Sequence, residues 1–210
     1  MHKIYQSFLL VFITIMTSFG QVRVGATAGF QLAIHTPEDV GTQNKSKAGF
    51  MAGAMLEIPL SSGVSLRPQL LYSAKGVKRN VLGTFDAALS LNYIEVPIQL
   101  VYTVESGTGH LSFGAGVYIA YGLSSKAVIT SKGQSRTFTD DFGPAADQFQ
   151  RNDIGGRLSI DYELASGLTI GTYYAPGFTD INNPSAASSG VVATHNSALG
   201  ISVGYWLKKR

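Results

Sequence analysis

The sequence predicts an all-β fold, an eight-stranded antiparallel up-and-down transmembrane β-barrel with short periplasmic turns and long extracellular loops. Three observations lead there. The 210-residue chain has 24 Gly, 10 Tyr and 11 Phe, with 14% charged residues, against about 25% for an ordinary soluble protein. Apolar and small or polar side chains alternate with period two over eight separate stretches, the signature of strands with two different environments. The connections between these stretches alternate short and long, as the two ends of a membrane barrel require.

The first element is a leader. Lys3, an apolar run from Phe8 to Met16, and the small residues Ser18 and Gly20 before Gln21 read as a secretory signal peptide over residues 1–20, leaving 21–210 as the barrel domain. The apolar run is too short for a membrane-spanning helix, which needs about 20 residues. The chain has no Cys, which excludes disulfides, thiolate metal sites, cysteine nucleophiles and a lipid-modified cysteine at the cleavage site.

The eight strands are expected over 22–34, 48–60, 64–78, 89–104, 110–123, 151–164, 168–178 and 196–207. Most exceed the usual ~5–6 residues of globular strands and match the ~9–11 that a tilted strand needs to cross a bilayer. Turns at 61–63, 105–109 and 165–167 are tight. Those at 35–47, 79–88, 124–150 and 179–195 are longer and polar. Within the largest, Ala127–Ile129 and Thr137–Thr139 flank Lys132-Gly133 as a short hairpin that would extend the barrel beyond the membrane.

Orientation follows from comparing the two faces. Leu111, Phe113, Ala115, Val117, Ile119 and Tyr121 oppose Ser112, Gly114, Gly116, Tyr118, Ala120 and Gly122. Similar sets recur at 64–72, where Leu71 breaks the pattern, and at 93–102, 154–164 and 199–207. A soluble lipocalin-like carrier would turn the Gly, Ala and Ser set to water, a poor solvated surface. Facing the apolar set to lipid instead places the small set in a narrow lumen that its own side chains fill. That lumen would also hold Arg23, Arg67 and Arg157 with Glu57, Glu95, Asp161 and Glu163, a structural charge network that must pair because isolated buried charges cost several kcal/mol. Tyr72, Tyr102, Tyr121 and Tyr205 fall near strand ends, where amphipathic rings settle at a membrane boundary.

The segments "VGATAGFQLA", "LRPQLLYSAKG", "LNYIEVPIQLVY" and "LGISVGYWL" resemble the PorT-like outer-membrane β-barrel family of Bacteroidota. The most specific part is "YIEVPIQL", with Glu95 and Pro97. The resemblance implies residence in the cell outer membrane, in a family linked in part to protein secretion or surface attachment. Its departure is at the end, where Trp206-Leu207 is followed by three basic residues instead of closing on an aromatic.

Chemistry-bearing motifs are sparse. The formal net charge is +3, one less without Lys3, and basic residues form no stripe for nucleic acid. His2 leaves with the leader, and His35, His110 and His195 stand singly near strand ends without a metal-ligand partner, as surface histidines. Asp140, Asp141, Asp147 and Asp153 lie in the largest loop without the spacing of a calcium loop, and read as a solvated acidic stretch. Ser197, His195 and Asp180 share the outer rim, the one arrangement suited to a lipid-modifying or proteolytic barrel enzyme. The expected protein is a non-enzymatic monomer without cofactor or metal, surrounded by outer-membrane lipid and acting through its loops or through other envelope or secretion proteins.

Overall fold

Glycine sets the short ends of the molecule. In the computed structural model, which describes residues 22–36, 42–81, 85–131, 133–140, 142–143, 148–182 and 193–208, the three tight turns carry Gly63, Gly107 and Gly167 at φ +76°, +61° and +91°. A residue with a Cβ adopts that left-handed region only at a cost, so glycine fixes where each hairpin reverses. The expected leader lies outside the described residues.

The strands are β1 (Arg23–Thr36), β2 (Thr42–Ser61), β3 (Val64–Val81), β4 (Phe85–Ser106), β5 (Gly109–Ser131), β6 (Gln134–Asp140), β7 (Asn152–Glu163), β8 (Leu168–Pro176) and β9 (His195–Trp206). All pairings are antiparallel, in the order β4-β3-β2-β1-β9-β8-β7-β5-β6, and an additional β4–β5 pairing closes eight of them into a ring. Closure gives every spanning strand a partner on both sides, as a hydrocarbon environment demands. The ninth, β6, stands outside the ring and pairs only with the upper part of β5. Phe138 faces Ala127 and Thr137 faces Val128, so the expected rim hairpin is present.

The alternation has the orientation that the sequence predicts. Phe30, Leu70, Leu100, Val117, Ile160, Ile170 and Ile201 are exposed on the outer wall, while Tyr93, Gln99, Tyr118 and Arg157 on the opposite face are buried. Tyr102 and Tyr205 lie on the outer wall near the turn end, and Tyr121 near the loop end. A soluble carrier is overturned by this arrangement, because its ligand cavity would occupy the space that ion pairs and aromatic rings fill here.

One expectation needs correction. β2 through β5 are longer than the alternation suggests, so much of 35–47, 79–88 and 124–131 is strand. Above the lipid-facing wall these strands and β6 form a five-stranded extension wetted on both faces, and such a sheet leaves no apolar rhythm to read. Thr130 pairs with Asp86 seven residues beyond Leu123, about 23 Å along the strand. Leu71, which interrupts the alternation, is an interior residue, packed in a cluster with Met51, Leu91, Tyr93 and Tyr118.

The bare face makes room for rings. A Cβ on Gly200 would meet the Tyr173 ring at 2.5 Å, and one on Gly155 would meet Tyr118 at 2.4 Å. Gly200→Val should therefore destabilise the barrel by about 1–3 kcal/mol, an overpacking cost. On the opposite face Ile98→Arg should cost about 2–4 kcal/mol by placing a charge in lipid. Urea unfolding in lipid vesicles, followed by the heat-modifiable shift on gels, measures both.

Candidate functional site

Charge inside a narrow barrel has to be neutralised by charge from another strand, and the seven predicted lumen residues come from five strands. The structure places them in two storeys. In the lower one, near the short turns, Glu57 on β2 lies between two guanidinium groups: Arg23 Nη1 on β1 at 3.1 Å and Arg67 Nη2 on β3 at 2.8 Å. Arg23 also forms a two-pronged pair with Glu163 on β7, and Arg67 Nη1 reaches Asp161 Oδ2 at 2.9 Å. The Trp206 ring of β9 lies 4.6 Å from the Arg23 guanidinium carbon and 5.5 Å from that of Arg67, in cation–π contact. Trp206 is 1% exposed and Glu57 2%.

The upper storey is built around Glu95. Its carboxylate meets Arg157 Nη1 at 3.3 Å and Lys75 Nζ at 2.8 Å, and Lys75 lies 3.7 Å from Asp153. Aromatic faces complete the shell: Lys75 Nζ is 4.1 Å from the Tyr118 ring centroid, and the Arg157 guanidinium is 3.9 Å from that of Tyr173. Tyr173 donates its hydroxyl to Gln31, and Asn196 donates to both Tyr93 and Asp153. Above this layer Phe142 and Ile181, carried by the outer connections, join the buried cluster and cover the bore. Phe142 and Tyr93 rings lie 5.4 Å apart.

Lys75 and Asp153 are the functional-site residues that the sequence reading omits. Lys75 continues the interior parity of Arg67, Leu71 and Ser73, and Asp153 that of Arg157 and Gly155, so extending the same alternation toward the loop end of each strand finds them. Asp153 was expected in a solvated acidic loop and is instead fully buried. β7 begins at Asn152, and the carboxylate is held by Lys75, Asn196 and Tyr118. His35 was expected at the surface and is also buried, its ring edge-on to Phe149 at 6.4 Å. The inward parity of β1 continues to its last turn beneath the outer connections. Asp141 and Asp147 lie outside the described residues.

The outer-rim trio does not assemble into a catalytic relay. Asp180 Oδ1 accepts the backbone N–H groups of Asn182 at 3.0 Å and Thr194 at 2.8 Å, and His195 Nδ1 faces the Thr179 carbonyl at 3.0 Å. Asp180 therefore organises the connection before β9. No group of three or more His, Asp or Glu side chains among the described residues is arranged to hold a metal ion.

The family described as outer membrane protein beta-barrel domain matches residues 6–183. The chain belongs to that family. It is a barrel of the outer membrane. Among solved structures it is similar to Ail, the attachment invasion locus protein of Yersinia pestis, at 11% identity over 89% of this chain and 99% of that one, with a TM-score of 0.49. Neisserial surface protein A matches at 12% identity over 87% and 96%, with a TM-score of 0.49. OprG from Pseudomonas aeruginosa matches at 14% identity over 88% and 95%, with a TM-score of 0.45. No curated protein matches the chain in sequence.

For this outer-membrane barrel, the shared carboxylate links the two halves of the lower storey. Glu57→Gln removes the anion between Arg23 and Arg67 but leaves each its β7 partner, so the cost is that of lost charge-assisted hydrogen bonds, about 1.5–3 kcal/mol. Asp161→Asn, at the more exposed edge of the same storey, should cost less. Urea titration of both variants in micelles checks the order.

Proposed function

We propose that this barrel is a sealed, non-enzymatic monomeric scaffold of the PorT-like kind, whose work is to present its outer extension to another envelope or secretion protein. The observation that carries this reading is the filled bore. Two ion-paired storeys and an aromatic layer leave, between Met51, Arg67, Gln99, Arg157 and Trp206, a cavity of about 20 Å³, room for about one water molecule. A barrel with such an interior supplies a wall and a rim, and no route for a solute.

The rim has a feature suited to a partner. β6 leaves the ring and pairs on one side only, with β5, so the opposite backbone edge of Gln134–Asp140 has no strand beside it among the described residues. An extended segment of another protein can add to such an edge through main-chain hydrogen bonds. Phe138, exposed on that strand, offers an apolar contact at the same place. The engagement of Asp180 and His195 with backbone groups supports the non-enzymatic part of the reading.

Two measurements test it. Purified protein in planar bilayers should give no stepwise conductance, and regular ion steps from the wild-type chain would overturn the sealed-bore reading. Removing residues 126–139 and joining the ends through a short turn should leave heat-modifiable migration intact while reproducing the phenotype of a strain lacking the protein. A hairpin-free chain that fully complements such a strain would refute the rim's role. His195→Ala should complement as well as wild type.

A further inference from the structure

On the outer wall, Lys45 of β2 and Lys78 of β3 stand directly opposite each other and both point away from the barrel, exposed. Like charges facing across a strand pair repel. Neither lysine has an ion-pair partner among the described residues. They line an open depression of about 330 Å³ with Arg79, Asn80, Asp86 and Ala88, in which Asn80 donates to Asp86 at 2.8 Å. One end of the depression is thus cationic, and the other offers a paired amide and carboxylate suited to sugar hydroxyl groups.

Beneath it the lipid-facing wall is grooved. Phe30 projects from β1, 75% exposed, between two apolar hollows. The first, of about 430 Å³, lies among Phe30, Phe50, Ala52, Ile201 and Val203. The second, of about 360 Å³, lies among Phe30, Leu32, Ala48 and Leu199. Ala48 is three residues along β2 from Lys45, about 10 Å. The wall therefore carries two slots for hydrocarbon chains and, about 10 Å further along β2 at the base of the extension, a cationic seat with hydroxyl-binding groups beyond it.

We infer that the β9-β1-β2-β3 face binds a phosphorylated, multiply acylated glycolipid of the outer leaflet, of the lipid A class, with phosphate between Lys45 and Lys78 and acyl chains on either side of Phe30. The occupant follows from the charge. An anion relieves the repulsion between the opposed lysines through charge-assisted hydrogen bonds, whereas a second copy of the chain, docked on the same face across a twofold axis, would set its own lysines against them. The far side of the depression, Val128 and Thr130, belongs to the part of β5 that pairs with β6, but the lysines and Phe30 lie on β1, β2 and β3, and substituting them leaves the hairpin and its free edge in place.

The test uses the full chain in detergent, with bound lipid counted by native mass spectrometry. Presented with equal amounts of bisphosphorylated lipid A and phosphatidylglycerol, the protein should retain lipid A preferentially. Lys45→Gln with Lys78→Gln should lower that retention about tenfold, and Phe30→Ala should weaken retention of lipid A with or without its phosphates. Equal retention of phosphatidylglycerol, or of enzymatically dephosphorylated lipid A, by the wild-type protein would overturn the inference, and this comparison decides even where the double variant does not fold. A dimer that forms through Phe30 in place of lipid retention would assign the hollows to a second copy and overturn it equally.

Discussion

A carboxylate held between two guanidinium groups is the contact on which this interior depends. Glu57 joins β2 to Arg23 on β1 and Arg67 on β3, and those two arginines continue to Glu163 and Asp161 on β7, across the bore. Burying any one of these charges alone would cost several kcal/mol, and the attraction offsets that cost only where geometry lets each group meet its partners. The strand register supplies the geometry. Because side chains alternate strictly along each strand, a slip of one residue in β2 would turn Glu57 outward into lipid and leave both arginines facing each other. The ion pairs thus specify register as much as they contribute stability.

The small residues of the lumen serve the same end. Eight strands enclose little space, and two arginines, two glutamates, an aspartate and a tryptophan already occupy much of the lower storey. Glycine at 155 and 200 leaves room for the ring directly across on the neighbouring strand, Tyr118 and Tyr173, whose faces receive Lys75 and Arg157. Low side-chain volume at one position and high volume at the next combine to fill the bore, as they do in other small barrels.

Much of this was legible in the residues. The wall reads directly because lipid outside and packed charge inside impose opposite chemistries on successive positions, and that contrast is as plain in Ile94–Tyr102 as in the coordinates. All seven lumen charges follow from the same parity. What could not be read shares a physical cause. The upper parts of β2 through β5 meet water on both sides, so within Ser124–Ser131 the three residues Ala127–Ile129 of the rim hairpin mark strand, and the continuity of β5 up to them does not show. Asp153 and His35 sit where a polar connection becomes an interior face, and there a charged or aromatic residue looks the same in sequence whether it is solvated or covered. Which glycine gives way to which ring, and how Trp206 comes to lie beside two arginines, depend on contacts across the barrel that no local pattern encodes.

Arg23 stands at the very start of the first strand, and its partners Glu163 and Trp206 belong to the seventh and the ninth. In an unfinished sheet of the first strands, Arg23 and Arg67 share the single carboxylate of Glu57 on the face that must become the inside, an excess of positive charge that hydrocarbon disfavours. The balance comes with Glu163 and Asp161 on β7, and the covering ring of Trp206 comes with the strand that closes the barrel. The interior is thus completed in step with closure.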